Sequence, residues 1–245
     1  MKYKLLYLPL ICASLLTTTS CNVHVLKGEG KIITNTTSPG TFTGIEIDVP
    51  MKVEITVNPN APTSLELSSY ENMIGHLKSK VEGNLLHITT DLDGTWTIFN
   101  NTEITAKINL NSLNQLSLQG AQDANVHGNI TGSVFKLEVS GAGKVIIDSV
   151  NTDTLSSELS GAADITINGG QVKSANYSIS GAGKIKSFPL QAQSVSAALS
   201  GATKMELTAL SKLNVSISGA SNIKYKGHPS ITQDISGVGS IEEAK

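Results

Sequence analysis

The sequence predicts an all-β chain: a right-handed parallel β-helix-like stack of coils of about 20 residues, preceded by a β-sheet domain. Three observations carry this. The tripeptide Ser-Gly-Ala returns down the C-terminal half, as at Ser140-Gly141-Ala142, Ser160-Gly161-Ala162, Ser180-Gly181-Ala182, Ser200-Gly201-Ala202 and Ser218-Gly219-Ala220. With a degenerate first copy at Gly120 and a variant at Gly237, the glycines advance in steps of 21, 20, 20, 20, 18 and 18. A fixed period of this length means one unit stacked on itself. Apolar residues alternate on both sides of each Gly, Leu137 and Val139 before Gly141, Val145 and Ile147 after it, and period two is the signature of a strand. Only 4% of residues are aromatic and 16% charged, which fits stacked strands rich in Val, Ile, Ser, Thr, Asn and Gly.

Twenty residues of extended chain trace roughly 60 Å, the length of one turn of a three-sided coil, with each strand parallel to its counterpart one coil below at roughly 4.8 Å. Parallel crossovers are overwhelmingly right-handed, hence the predicted hand. Gly is expected at a sharp corner, where φ is positive or a side chain would strike the next coil. The Ala that follows (Ala121, Ala142, Ala162, Ala182, Ala202, Ala220) is expected to stack inward, and the Ser column to hydrogen-bond along the stack or to the corner backbone. The residue three after each Gly reads Asp123, Lys144, Asp164, Lys184, Lys204, Asn222, an expected exposed column of mostly alternating sign. Ser187 is expected on the surface.

Residues 28–113 read as the N-terminal β domain and 114–245 as the repeat domain. From Ile45 to Val57 every odd position is apolar, a long half-buried strand interrupted at Pro50. Tyr70 to Lys80 has room for a short helix, and Val81-Glu82-Gly83-Asn84-Leu85 signals a hairpin.

The first 20 residues read as a lipoprotein signal peptide, with 21–27 a tether. Lys2 and Lys4 form a basic start, Leu5 to Leu16 is an apolar run too short to span a bilayer, and Ser20-Cys21 resembles a bacterial lipobox. Cys12 falls within the apolar run, so Cys21 would be the sole cysteine of the mature chain and the site of lipidation. No acidic run follows Cys21, which favours an outer-membrane lipoprotein facing the periplasm over one displayed at the surface.

The net charge is −2 and every one of the 18 basic residues is Lys. A mildly acidic chain without Arg lacks the bidentate donor used on phosphates and guanines, so no nucleic-acid partner is expected. No His or acid recurs beside the repeat serines, as a nucleophile would require. The acids of the coils (Asp148, Asp153, Glu158, Asp164, Glu206) fall at different coil positions, whereas glycoside hydrolysis needs a pair. Asp91-Leu92-Asp93-Gly94 lacks the remaining ligands of a calcium loop and reads as a turn. His24, His76, His87, His127 and His228 share no metal-ligand spacing; no cofactor is expected. Trp96 and Phe99 are the candidate sugar-stacking residues. Asp148-Ser149-Val150 and Asp153-Thr154-Leu155 resemble Asp-Ser/Thr-apolar O-glycosylation acceptors, placing candidate sites at Ser149 and Thr154 in a loop-like stretch.

A lipoprotein leader, the Phe42-Thr43-Gly44-Ile45 strand start, the Gly83-Asn84-Leu85 hairpin and the tandem Ser-Gly-Ala array together resemble the "putative autotransporter adhesin, head GIN domain" family over roughly residues 28–240. The resemblance implies a β-helix-like stack and no active site. The expected function is therefore a lipid-anchored, non-catalytic cell-envelope protein with an adhesin-like surface for binding or assembly, its partners the membrane and a polysaccharide or envelope protein. The alternative is a polysaccharide-active β-helix enzyme, which would show three or more carboxylate or lysine groups in one concave groove.

Overall fold

The computed structural model describes residues 24–92, 96–98 and 103–245. Among these, strands dominate. They are β1 (His24–Leu26), β2 (Ile32–Thr37), β3 (Gly44–Ile47), β4 (Met51–Val57), β5 (Ser64–Tyr70), β6 (Leu77–Glu82), β7 (Leu85–Thr90), β8 (Trp96–Ile98) and β9 (Thr105–Leu110). The repeat region continues with β10 (Gln115–Leu159), β11 (Ala162–Ile167), β12 (Gly170–Ile179), β13 (Ala182–Leu199), β14 (Ala202–Ile217), β15 (Ala220–Lys226), β16 (Ser230–Ile235) and β17 (Val238–Glu243). The long strands bend at the coil corners without leaving the ladder.

Each coil lies parallel on the one before. Ala142 pairs with Ala162, Ala162 with Ala182 and Ala182 with Ala202, so the sequence repeat and the spatial register coincide. The β13–β14 pairing falls into three runs separated by register shifts: 182–187 on 202–207, 191–192 on 208–209, and 194–199 on 212–217. These are the three sides of the coil: 182–187 and 202–207 lie on the second side, 191–192 and 208–209 on the third, and 194–199 and 212–217 on the first side of the coil that follows. The shifts also explain the drop in step from 20 to 18: three residues, Phe188-Pro189-Leu190, have no counterpart in the coil above, and one residue is regained before Lys212.

The interior is a set of apolar columns. Val145, Ile165, Ile185, Met205 and Ile223 stack in register and are buried. Each coil adds one branched or flexible apolar side chain to this column, so burial grows with every repeat, the physical basis of solenoid stability.

The expected column three residues after each Gly forms as predicted from Lys144 upward: Lys144 pairs with Asp164, Asp164 with Lys184, Lys184 with Lys204 and Lys204 with Asn222. Asp123 lies beside Lys52 of β4, which extends the alternation downward by one charge. The Ala column is a correction. Ala121, Ala142, Ala162, Ala182, Ala202 and Ala220 are exposed, and the next residue turns inward instead: Gln122, Ala163, Thr203 and Ser221 are buried. The alternation runs straight through the Ser-Gly-Ala corner, from Leu159 across Gly161 to Ala163 and Ile165, so Ala falls on the outward phase. Ser187 is also a correction. It is buried, and its hydroxyl donates to the Glu206 carbonyl at 2.8 Å. The repeat serines are exposed; Ser200 and Ser236 donate down the stack to the carbonyls of Ile179 and Ile217, both at 3.4 Å.

The stack starts below the repeats. β3 and β4 pair directly with Gln115–Leu118 and Gln122–Gly128 of β10, and β7 and β9 pair in parallel beneath β3 and β4. Polarity then reverses. β6 is antiparallel to β7, β5 to β9 and β2 to β5, closing this end. The predicted interruption near Pro50 is the gap between β3 and β4, and all seven odd positions from Ile45 to Val57 are buried. The hairpin forms around Gly83, with φ 61. The segment from Tyr70 to Lys80 holds one 3-10 turn, Ile74–His76, before β6 begins.

Candidate functional site

The third side of the coil carries an open groove of about 350 Å³ that runs along the stack. Its walls come from successive coils: Asn151 to Asp153, Gln171 to Lys173, and Gln191 with Gln193, ending at the exposed Leu210. Register puts Asn151 beside Gln171 and Gln171 beside Gln191, so the amides form a ladder with a rung roughly every 4.8 Å. The lower rung is fixed. The Asn151 amide donates to the side chains of Asn129 and Ser149, and its oxygen accepts the Gln171 backbone N–H at 3.2 Å. The higher amides of Gln171 and Gln191 face solvent. Asp153 and Lys173 pair with each other at 2.7 Å on the groove's edge. The groove thus offers neutral donors and acceptors, with one compensated charge pair.

Ser149 and Thr154 flank this groove. They occupy the two corners of β10 on either side of Val150–Thr152, where two consecutive residues turn outward and the alternation changes phase. The expected loop is corrected to a continuous strand with two bends: Val150 and Thr152 are in register with Gly170 and Val172, and register resumes at Thr154 with Ser174. Both residues are half-buried. Cys21 and Phe99 lie outside the described residues. Trp96 begins β8, which pairs in parallel with β1, a small sheet separate from the main one.

Two polar arrangements were not anticipated from the sequence. Gln122 is buried at the corner of the degenerate first repeat, its amide nitrogen facing the carbonyls of Val49 at 3.1 Å, Ile47 at 3.3 Å and Gln119. The other repeats have Gly, Ala, Thr or Ser at this inward position, and that departure was the available signal. His127 sits between two carboxylates from neighbouring coils, Nε2 2.9 Å from Glu54 and Nδ1 3.4 Å from Asp148. Its pKa is raised from the usual value, chiefly by the hydrogen bond to Glu54 and also by Asp148, with burial opposing. The carboxylates approach opposite edges of the ring, so they clamp it rather than converge on a metal. Asp91, from the expected turn, is engaged by His76 at 2.8 Å and Lys78 at 3.0 Å, and these partners hold its carboxyl below the ordinary range, Lys78 most. Among the described residues no group of three or more His, Cys, Asp or Glu side chains is arranged to hold a metal ion, and no helix is long and apolar enough to cross a membrane.

Comparison with known proteins agrees with this architecture. A putative adhesin from Bacteroides fragilis superposes with TM-score 0.82 at 24% identity, over 89% of this chain and all of that one. A putative adhesin from Parabacteroides merdae gives TM-score 0.70 at 20% identity over 91% of this chain and all of that one. A putative lipid binding protein from Parabacteroides distasonis gives TM-score 0.70 at 22% identity over 90% of this chain and all of that one. At these identities the likeness establishes the fold. No curated protein matches the chain. The profile of one family covers residues 41–229, from just before β3 to just past β15; the chain belongs to the "putative auto-transporter adhesin, head GIN domain" family.

Proposed function

We propose that this chain is a lipid-anchored, non-catalytic protein of the cell envelope, held through Cys21 on the periplasmic face of the outer membrane, whose third side binds an extended polar polymer. The observation that carries binding over catalysis is the make-up of the groove. Its one carboxylate, Asp153, is committed to Lys173, whereas glycoside hydrolysis works through a pair of carboxylates flanking the bond. An amide ladder with the coil repeat holds a polysaccharide, or an extended segment of an envelope protein, by hydrogen bonds and leaves it chemically unchanged. Trp96 and Phe99 add a proposed stacking contact for sugar rings.

The anchor is tested by palmitate labelling of cells expressing the chain and its Cys21→Ala variant, with protease shaving of intact cells to report the face. Label should enter only the wild type, and the protein should resist shaving. Binding is tested by titrating envelope polysaccharide into the wild type and a Gln171→Ala/Gln191→Ala variant. Equal affinity would refute the groove, and release of reducing sugar ends would refute the non-catalytic reading. Ser149 and Thr154 are proposed glycan carriers; a native-host peptide spanning both with no added mass removes that proposal.

A further inference from the structure

The lysines are unevenly distributed along the stack. Residues 165–233 hold seven lysines and one acid, Glu206, while the rest of the chain holds eleven lysines against nineteen acids. Register gathers four of the seven, Lys184, Lys186, Lys204 and Lys224, on the outward face of the second side with Lys226 at its corner, and three acids, Asp164, Glu206 and Glu242, stand in the same columns. Lys184 lies between Asp164 and Lys204; Lys186 lies beside Glu206, Glu206 beside Lys224, and Lys224 beside Glu242; Lys226 lies beside Thr208. The pleat separates outward neighbours on one strand by roughly 6.6 Å, and the coils by roughly 4.8 Å, so the ammonium groups stand on a fixed grid across three coils. Among the described residues the ion-paired lysines are Lys78, Lys80, Lys107, Lys136 and Lys173; none belongs to this grid. Next to it run the exposed methyls of Ala162, Ala182, Ala202 and Ala220, which leave the approach to the face open.

We propose that this face binds a linear acidic polysaccharide, a hydroxylated chain carrying carboxylates at intervals. Charge complementarity selects an anion, since five lysines against Asp164, Glu206 and Glu242 leave a net positive patch here although the whole chain is mildly acidic. Lysines act as point charges and lack the planar fork of Arg that matches phosphate. Glu206, set between Lys186 and Lys224, repels a continuous sheet of anionic headgroups but accepts hydrogen bonds from sugar hydroxyls. Bilayer contact also draws on apolar side chains that enter the interface, whereas the ring at this face, Phe188, is half-buried beneath the Lys226 ammonium, 4.9 Å from its centroid. The face lies on a different side from the amide groove and does not depend on it.

The test uses the full chain with soluble polygalacturonate as probe, neutral dextran as control, and equimolar phosphatidylcholine–phosphatidylglycerol vesicles as the competing surface. The wild type should bind polygalacturonate more tightly than dextran at low salt and lose that difference near 1 M salt, where the screening length falls to about 3 Å. Replacing Lys184, Lys186, Lys204 and Lys224 by Gln should weaken binding by roughly tenfold or more, the order expected from removing four charge contacts. Replacing the same four by Arg should restore it, which separates charge loss from misfolding. Lys212→Gln, on another side of the coil, should leave it unchanged. Absence of polygalacturonate binding at low salt, equal binding by the Gln variant, or binding to the vesicles alone would each overturn the proposal.

Discussion

Replacing Gly181 by Ala should destabilise the stack far more than replacing Gly75 by Ala. A Cβ built on Gly181 falls onto the carbonyl oxygen of Gly161 in the coil below, with that residue's backbone N and C at 2.7 and 2.8 Å. The obstructing atoms are backbone, so no side chain can swing away. Relief requires the two coils to part by about 1 Å at a corner where Ala182 N–H donates to Gly161 O at 2.8 Å and Ser180 N–H donates to Leu159 O at 2.9 Å. Overpacking costs about 1–3 kcal/mol, and weakening two backbone hydrogen bonds costs about 1 kcal/mol each, giving about 3–5 kcal/mol. For a chain of this length each kcal/mol moves the melting temperature by about 2–4 °C, so Tm should fall by about 10 °C. Gly75 meets nothing within 4 Å and has no positive φ, so Ala there should be neutral or stabilise by about 0.4–1 kcal/mol through the unfolded chain. Calorimetry or circular dichroism melts of both variants decide it. The same Tm for both would refute the close-approach account of the Ser-Gly-Ala corner.

Three further outcomes are expected. Thr203 is buried with an unpartnered hydroxyl, so Thr203→Val should be neutral or stabilising by about 1 kcal/mol, whereas Ser221→Ala should cost about 1–2 kcal/mol, because the Ser221 hydroxyl accepts from Thr203 N–H and donates to Gly201 O, both at 3.1 Å, and an orphaned buried partner is expensive; urea unfolding of the two variants reads the difference in sign. Gln122→Leu should cost about 2 kcal/mol by removing the donor that faces three carbonyls at the first corner, a loss measurable by the same titration. The folded state holds the His127 pKa above its unfolded value, so the clamp stabilises fully below about pH 6.5 and fades as pH rises through the raised value; the residue is half-exposed, which keeps the effect below about 1 kcal/mol. The wild type should lose its urea-midpoint advantage over His127→Gln between about pH 6 and 8, and parallel pH profiles would refute the clamp.

The charge column from Lys144 to Asn222 and the buried odd positions from Ile45 to Val57 were fully legible, because a repeat period and a period-two pattern are local properties that stacking merely reads out. The outward phase of Ala142 and its equivalents is legible too, since the alternation of Leu137, Val139, Val145 and Ile147 runs through Gly141 unchanged and puts Ala142 on the same phase as Lys144. Ser187 is the converse case. It continues the inward phase of Ile185, and its hydroxyl finds the Glu206 carbonyl one coil away, a partner that sequence proximity does not suggest.

By itself, the sequence determined that this chain stacks on itself, where each coil begins, and which residues share a column. What the tertiary structure decided is everything that depends on how a coil bends and what lies above or below it. The repeat glycines are required mainly because the backbone below occupies the space of a Cβ, not because of a special dihedral: Gly141, Gly181, Gly201 and Gly219 carry no positive φ. The amide groove, the clamp of Glu54, His127 and Asp148, and the Gln122 plug join residues from separate coils. A one-dimensional pattern reports which residues recur; only the packed coils fix which side chains meet across the roughly 4.8 Å between them.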